Sequence, residues 1–182
     1  MSQRSERIVG AGTSDEALTV RDARARITEL ILLARTCTLT TISLDGRLAA
    51  RPMVLQRVEF DGELWFFAHA ASATVRQLRV NPEVEVGFHD PDGQFWVSVS
   101  GTARDDCDRA RAQRLWHPGL AAWFPEGVET PGLTLVAVHA TAARSWDARS
   151  GRQVGLLGHP GRATGDGGPP APGETHGSAT DR

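Results

Sequence analysis

Ala17, Val20, Ile27, Leu30, Ile31 and Ala34 recur at helical spacing near the start of the chain, while Arg21, Arg24 and Glu29 fall largely off that face. This predicts an amphipathic helix packed on a sheet. Thr13-Ser14-Asp15-Glu16 reads as its capping box, with a hydroxyl at the cap and a carboxylate three residues on. The helix runs to about Arg35. From Thr36 the period drops to two. Cys37-Thr-Leu-Thr-Thr-Ile-Ser-Leu44 is β-branched and alternates, and Asp45-Gly46 follows. Asp-Gly between two such runs is a strong hairpin signal. The partner strand spans Arg47 to about Glu59. Asp61-Gly62 turns the chain again, into a strand over Glu63 to Ala68.

Beyond that point the pattern predicts a short helix over 72–80, ended by Asn81-Pro82. A strand follows from Glu83 to His89, then a turn at Pro91-Asp92-Gly93 and a long strand from Gln94 to Ala103. Asp105, Asp106 and Asp108 place acids where a helix dipole favours them, at the start of a helix carrying Ala110, Ala112 and Leu115. A second short helix is expected over Leu120 to Phe124, and a last strand over Leu133 to Trp146. Strands predominate and βαβ alternation is missing. The expected class is therefore mainly β with peripheral helices (α+β), built on a small antiparallel barrel that leaves few edges exposed.

Composition sets the limits of the domain. Residues 1–12 are polar and 13–150 carry the predicted elements. From 151 to 182 Gly, Pro, Ser and Thr take over, a composition that buries too little surface to offset its ordering entropy, so a largely disordered tail is expected. Within it, Val154, Leu156 and Leu157 are candidates to pack back on the domain. Hydrophobic residues make up 40% of the 182 and the net charge is -2, which gives no electrostatic case for nucleic acid or an anionic membrane. No run approaches the roughly 20 apolar residues of a membrane span, and the N-terminus lacks a signal-like apolar core. A soluble, cytoplasmic protein is the expectation. Cys37 and Cys107 are far apart and read as reduced thiols. All 20 basic residues are arginine, and the chain has no tyrosine.

The chemistry concentrates between Gly46 and Leu78. Arg51 sits inside a strand beside Pro52. It is either an exposed charge on the polar face or, if the proline marks an edge or bulge, a side chain re-aimed toward a ligand. Ser72 and Thr74 precede a helix, where hydroxyls and free amides can cap it or bind phosphate, and Arg76 lies one turn in. Trp65 and Phe67 share one face of their strand while Phe66 takes the other. Trp116, Trp123 and Phe124, near three prolines, form a rigid aromatic lid, to be placed in the core, in an interface or on a ligand. Together these features suit a flat, phosphorylated ligand. No histidine cluster has metal-ligand spacing, no nucleophile elbow, GxGxxG or P-loop occurs, and no carboxylate pair has an acid/base context. A site that binds without supplying an acid, base or nucleophile suits a cofactor that brings its own chemistry.

RLAARPM, ELWFFAHAASATVRQLRVNPEVEVGF, WVSVSGTA and WFPEGVETPGLTLVAVHATAARSWD, in this order, resemble the pyridoxamine 5′-phosphate oxidase-like split β-barrel proteins, in particular the general stress protein branch, over residues 14–150. The resemblance implies a six-stranded antiparallel split β-barrel, a homodimer, and FMN in clefts between the subunits. It implies cofactor contacts from Arg51, Pro52, Met53 and Val54 on one strand, and from Phe67 and Ala68 at the end of the next. Ser72 to Thr74 would be the phosphate loop, and Trp123 of the other subunit would lie near the isoalloxazine.

One departure stands out. The family commonly has a lysine in that loop, often with a second basic residue, and here the positions hold Ala73 and Thr74. Each charge-assisted bond lost would weaken flavin binding by about 1.5–3 kcal/mol, on the order of ten- to a hundredfold. Arg76 compensates if it turns toward the loop. The substrate-binding C-terminal segment of the true oxidase has no counterpart in the tail. The expected function is that of an FMN-dependent oxidoreductase of unknown substrate. The alternatives are a flavin-storing or stress-sensing protein, or the same barrel with F420 or haem.

Overall fold

The computed structural model describes residues 20–34, 36–56, 60–90, 92 and 94–156. The capping box expected at Thr13-Ser14-Asp15-Glu16, the 1–12 segment and the chain after 156 lie outside them.

Helix α1 (Val20–Leu33) buries Ala23, Ile27, Leu30 and Ile31 and turns Arg26 and Glu29 outward, paired at 2.8 Å. The strands are β1 (Thr36–Ile42), β2 (Leu48–Met53), β3 (Glu63–His69), β4 (Glu83–Asp90), β5 (Phe95–Asp106), β6 (Leu133–Asp147) and β7 (Arg152–Leu156). They form one antiparallel sheet in the order β2-β1-β4-β5-β6-β3, with β7 added beside β6. A bridge between Leu55 and Phe66 brings the end of β2 onto β3, so the six main strands curl into a half-barrel. The class is the expected one, a split β-barrel of α+β type. The strand pattern did not anticipate β7, because its residues follow the onset of the Gly/Pro-rich composition.

The two hairpin glycines sit where only glycine is comfortable: Gly46 has φ +80° and Gly62 φ +110°. Around Gly101 the register of β5 against β6 slips by one residue, and Thr141 is left over opposite Ser100. A Cβ on Gly101 would lie 2.0 Å from the His139 carbonyl oxygen, so this crossing needs a bare backbone.

Helix α2 (Ala73–Val80) starts and stops as its sequence predicts. Ser72 accepts from the Val75 amide at 3.3 Å, and Asn81-Pro82 ends the helix. Helix α3 (Arg109–Leu115) is capped by Asp108, whose carboxylate accepts from the Arg111 amide at 3.0 Å. Asp105 and Asp106 belong to the end of β5 rather than to the helix, because pairing with β6 continues to Leu135. The helix expected over Leu120 to Phe124 is replaced by a 3₁₀ turn at Pro118–Leu120. A second 3₁₀ turn follows at Gly127–Glu129. Pro118, lacking an N–H, opens the first turn, and Pro125 prevents its extension.

Two apolar clusters result. Leu39, Leu64, Phe66, Val75, Val86, Val97, Val99, Val136 and Val138 fill the barrel under α1 and α2. Trp65, Phe67, Leu120, Phe124 and Leu135 pack on the other side of β3 and β6, beneath α3 and the turns after it. The alternation expected of Trp65-Phe66-Phe67 is therefore what separates the two cores.

Candidate functional site

Strand β2 carries the site because its side chains alternate. Ala49, Arg51 and Met53 face the helix-covered side, whereas Leu48, Ala50 and Pro52 face out. The ladder to β1 pairs Pro52 with Thr38 and runs without a shift from Cys37↔Met53 to Ile42↔Leu48. Pro52 is thus accommodated by an edge position, not by the bulge its sequence allowed. Arg51 is half-buried rather than exposed. Its Nη1 donates to Thr41 Oγ1 at 2.8 Å and its Nη2 to Gln77 Oε1 at 3.0 Å, while Thr41 itself donates to Gln77 at 2.7 Å. No carboxylate among the described residues pairs with it. Partial burial pulls its pKa below the usual arginine value, the sign of a cation held without a counter-ion.

Gln77 lies on the second turn of α2, so the structure brings Arg51 to the flank of this helix, about 7.5 Å along its axis from the Ser72 cap. At the cap, Arg76 folds back, and its Nη1 donates to the Ala71 carbonyl at 3.1 Å. From the first turn of α2, Arg76 thus does turn toward the loop that precedes the helix. Ala73 is exposed and Thr74 buried. A guanidinium, a helix start and a second guanidinium are thus gathered at α2, and among the described residues no carboxylate pairs with either Arg51 or Arg76.

Along β2 from Arg51 the chain enters a cleft of about 620 Å³. Met53, Val54, Leu55 and Gln56 form one wall, Ile31, Leu32 and Ala34 of α1 another, and Arg114, Leu115, Trp116 and His117 a third. Cys37 is at its floor, where its thiol donates to the Met53 carbonyl at 3.0 Å and burial pushes its pKa up to about 11. A thiol so protonated is packing, not a nucleophile.

The remaining residues expected from sequence fall elsewhere. Phe67 is buried between Trp116, 5.6 Å away and edge-on, and Phe124, at 6.1 Å. Its ring offers no face to a ligand; it holds Trp116 at the cleft. Ala68 is buried in the barrel core. Phe124 also rests on His69 at 5.0 Å, and its neighbour Trp123 remains 58% exposed. The sequence-predicted set is thus divided between the flank of α2 (Arg51), its cap (Ser72, Thr74, Arg76), the cleft (Met53, Val54), the aromatic cluster (Phe67) and the surface (Trp123). Sequence reasoning missed Thr41, Gln77, Gln56 and Arg114. Only Gln56 left a signal, as the one polar residue closing the apolar run Met53-Val54-Leu55.

Among known proteins, the family model described as pyridoxamine 5′-phosphate oxidase like matches residues 22–164. A curated relative, pyridoxine/pyridoxamine 5′-phosphate oxidase of Chromobacterium violaceum, is 33% identical over 92 residues, 48% of this chain and 43% of its own. Protein bli-3 of Neurospora crassa is 29% identical over 113 residues, 57% of this chain and 54% of its own. The chain spans about half the length of these curated relatives. Among solved structures, the general stress FMN/FAD binding protein of Xanthomonas citri superposes with a TM-score of 0.61 at 30% identity, over 70% of this chain and 89% of that one. A general stress protein 26 relative from Clostridium acetobutylicum gives a TM-score of 0.66 at 17% identity, over 77% of this chain and 96% of that one, a likeness of fold alone. With more than half of its length matched by the family model and a barrel of the same form, the chain belongs to the pyridoxamine 5′-phosphate oxidase-like family.

Proposed function

We propose that this protein binds FMN and acts as a flavin-dependent oxidoreductase, working as a cytoplasmic homodimer. The observation that carries the reading is Arg51: a half-buried guanidinium whose partners, Thr41 and Gln77, are both neutral. An arginine so placed is ready for an anion, and arginine is suited to holding a phosphate through two N–H groups at once. Arg76, on the first turn of α2 and folded back to the loop before it, adds a second cation, and the Ser72 cap adds amides at a helix start.

The fit beyond the phosphate is supported by the cleft. Its walls are mostly apolar and include Trp116, with Gln56, Arg114 and His117 the polar members, and it begins at Met53, two residues from Arg51. A bound flavin would supply hydride transfer, and the chain would supply binding, orientation and exclusion of water. With a flavin in place, Met53, Val54 and Leu115 would cover it with apolar surface, while Phe67 and Phe124 fix Trp116 at the cleft wall. Trp123, largely exposed in one chain, is a natural contact for a second copy, which would close the open side. The 30%-identical Xanthomonas citri protein, described as FMN/FAD binding, supports the same cofactor class.

A non-catalytic flavin-binding role is the second reading. What favours it is the cleft's inventory: Cys37 is held protonated, and none of the described lining residues is a carboxylate. Titration of the purified protein with FMN, followed by flavin fluorescence and then by reduction with NADPH, separates the two. Quenching with turnover supports the oxidoreductase. Quenching without reduction by any donor supports the binding role, and no quenching overturns both.

A further inference from the structure

Helices α1 and α2 pack on the barrel side of the sheet, where Ile27 and Val75 join Val86, Val97 and Val99. On the opposite face of β4, Glu85 is nevertheless half-buried. Its side chain lies flat along the strand. A Cβ on Gly87 would sit 3.6 and 3.8 Å from its two carboxylate oxygens, so the carboxylate fills the place of a missing side chain. Burial raises its pKa, and a hydrogen bond from the Ser98 hydroxyl opposes the shift. No cation among the described residues pairs with it.

Arg144 on β6 shares this outward face. It stands beside Ser98 of β5, which in turn faces Gly87 of β4. Arg144 is exposed and likewise makes no ion pair with any described residue. The two charges therefore lie on either side of β5, two strand spacings or about 10 Å apart. The outward residues around them, Thr40, Gly87, Ser98, Ser100 and Ala142, are small, so a second sheet can approach to the usual distance of about 10 Å. One charge of each sign on opposite sides of a centre makes the patch self-complementary. A two-fold axis running along β5, between two such faces, lays each carboxylate against the other copy's guanidinium and forms both pairs at once. Trp96, the next outward residue of β5, falls on that axis with His89 stacked on it at 4.9 Å, and adds aromatic area to the contact.

Resting on the homodimer in the reading above, we propose that this outer face of β4, β5 and β6 is where the two copies meet, the Glu85 carboxylate of each pairing with Arg144 of the partner subunit. The half-buried carboxylate then gains the cation its own chain does not supply. The paired charges also fix how the two sheets overlap along β5, because a slip would part both pairs together.

Sedimentation equilibrium of the full chain tests the pairing. Wild type is expected to dimerise. Glu85→Arg and Arg144→Glu each set like charges against one another twice, and each is expected to weaken the dimer about a hundredfold or more. Mixed in equal amounts, the two variants are expected to form a heterodimer within about tenfold of the wild-type affinity, because two arginines of one chain then meet two glutamates of the other. A fold damaged by either reversal would not be rescued by mixing. A reversal that dimerises as wild type does, or a mixture that stays monomeric, overturns the proposed face and leaves the homodimer standing. A wild-type chain that is monomeric at every concentration overturns the homodimer and this inference together. Should a reversal fail to fold, Glu85→Gln and Arg144→Gln take its place. Each is expected to weaken the dimer about tenfold, and an unchanged dissociation constant overturns the proposal.

Discussion

Arg51 on β2 donates to Gln77 on α2 at 3.0 Å, a full positive charge resting on a neutral amide. Such a contact satisfies the guanidinium's geometry but leaves its charge uncompensated. A phosphate dianion is a stronger partner, because bonds between charged groups are roughly twice as strong as neutral ones.

Removing Arg51 therefore tests the anion site directly. Arg51→Ala is expected to weaken FMN binding at least tenfold while changing riboflavin binding much less, since riboflavin lacks the phosphate. Fluorescence titration with both ligands measures the contrast. An equal loss for the two would place Arg51 in the scaffold and not at the phosphate.

The loop before α2 offers a gain-of-function counterpart. Ala73 is exposed at the first helical position, whereas Thr74 is buried, so a lysine is tolerated at 73 and would bury its ammonium at 74. Ala73→Lys is expected to tighten FMN binding about tenfold, the worth of one added charge-assisted bond. The gain should shrink as salt is raised. Thr74→Lys should lower thermal stability instead.

Asp106 makes stability pH-dependent. The Asp108 amide donates to it at 2.9 Å, and Arg104 and Arg111 reach it at 3.3 and 2.6 Å. These contacts, the amide foremost, hold its pKa below the usual carboxylate range, although partial burial opposes them. The unfolded chain then binds the proton more readily. The contribution is complete above the ordinary aspartate value of about 3.9 and is lost as pH falls through the lower folded value. Asp106→Asn should lower the urea midpoint at pH 7, and the gap from wild type should close toward pH 3. A gap that stays constant over that range would show that charge is not the cause.

Gly101 tests the β5–β6 crossing. Its missing side chain leaves room for the His139 carbonyl, and that obstacle is backbone, which cannot swing aside. Gly101→Ala is expected to cost about 3 kcal/mol, the upper range for forcing atoms into a packed interior. Ser100→Ala, at the exposed neighbour, should be nearly silent. Denaturant unfolding of both variants provides the comparison.

Local chemistry was the legible part of the chain. The Ser72 cap, the Asn81-Pro82 stop, the Asp-Gly hairpins and the alternation of Trp65-Phe66-Phe67 each depend on residues a few positions apart. So does the cation at Arg51, recognisable as a charge within an apolar strand. Its partners were not legible, because Thr41 lies on another strand and Gln77 on a helix 26 residues downstream. The place of Gln56 in the cleft was not legible either, because the other walls come from α1 and from the end of α3 with the residues after it, which meet only in the folded chain. Strand β7 was missed for a related reason. Pairing with β6, not the character of its own residues, makes it a strand.

Pro52 also bears on how the sheet ends. Strand β2 is the free edge of the sheet, and its unbroken ladder to β1 requires the proline's missing N–H to lie on the open side. A foreign strand adding there would find a gap in the row of donors it needs to pair with. The residue beside Arg51 therefore also guards this edge against fibrous self-association, and the protein can leave the strand uncovered without a helix or loop laid over it.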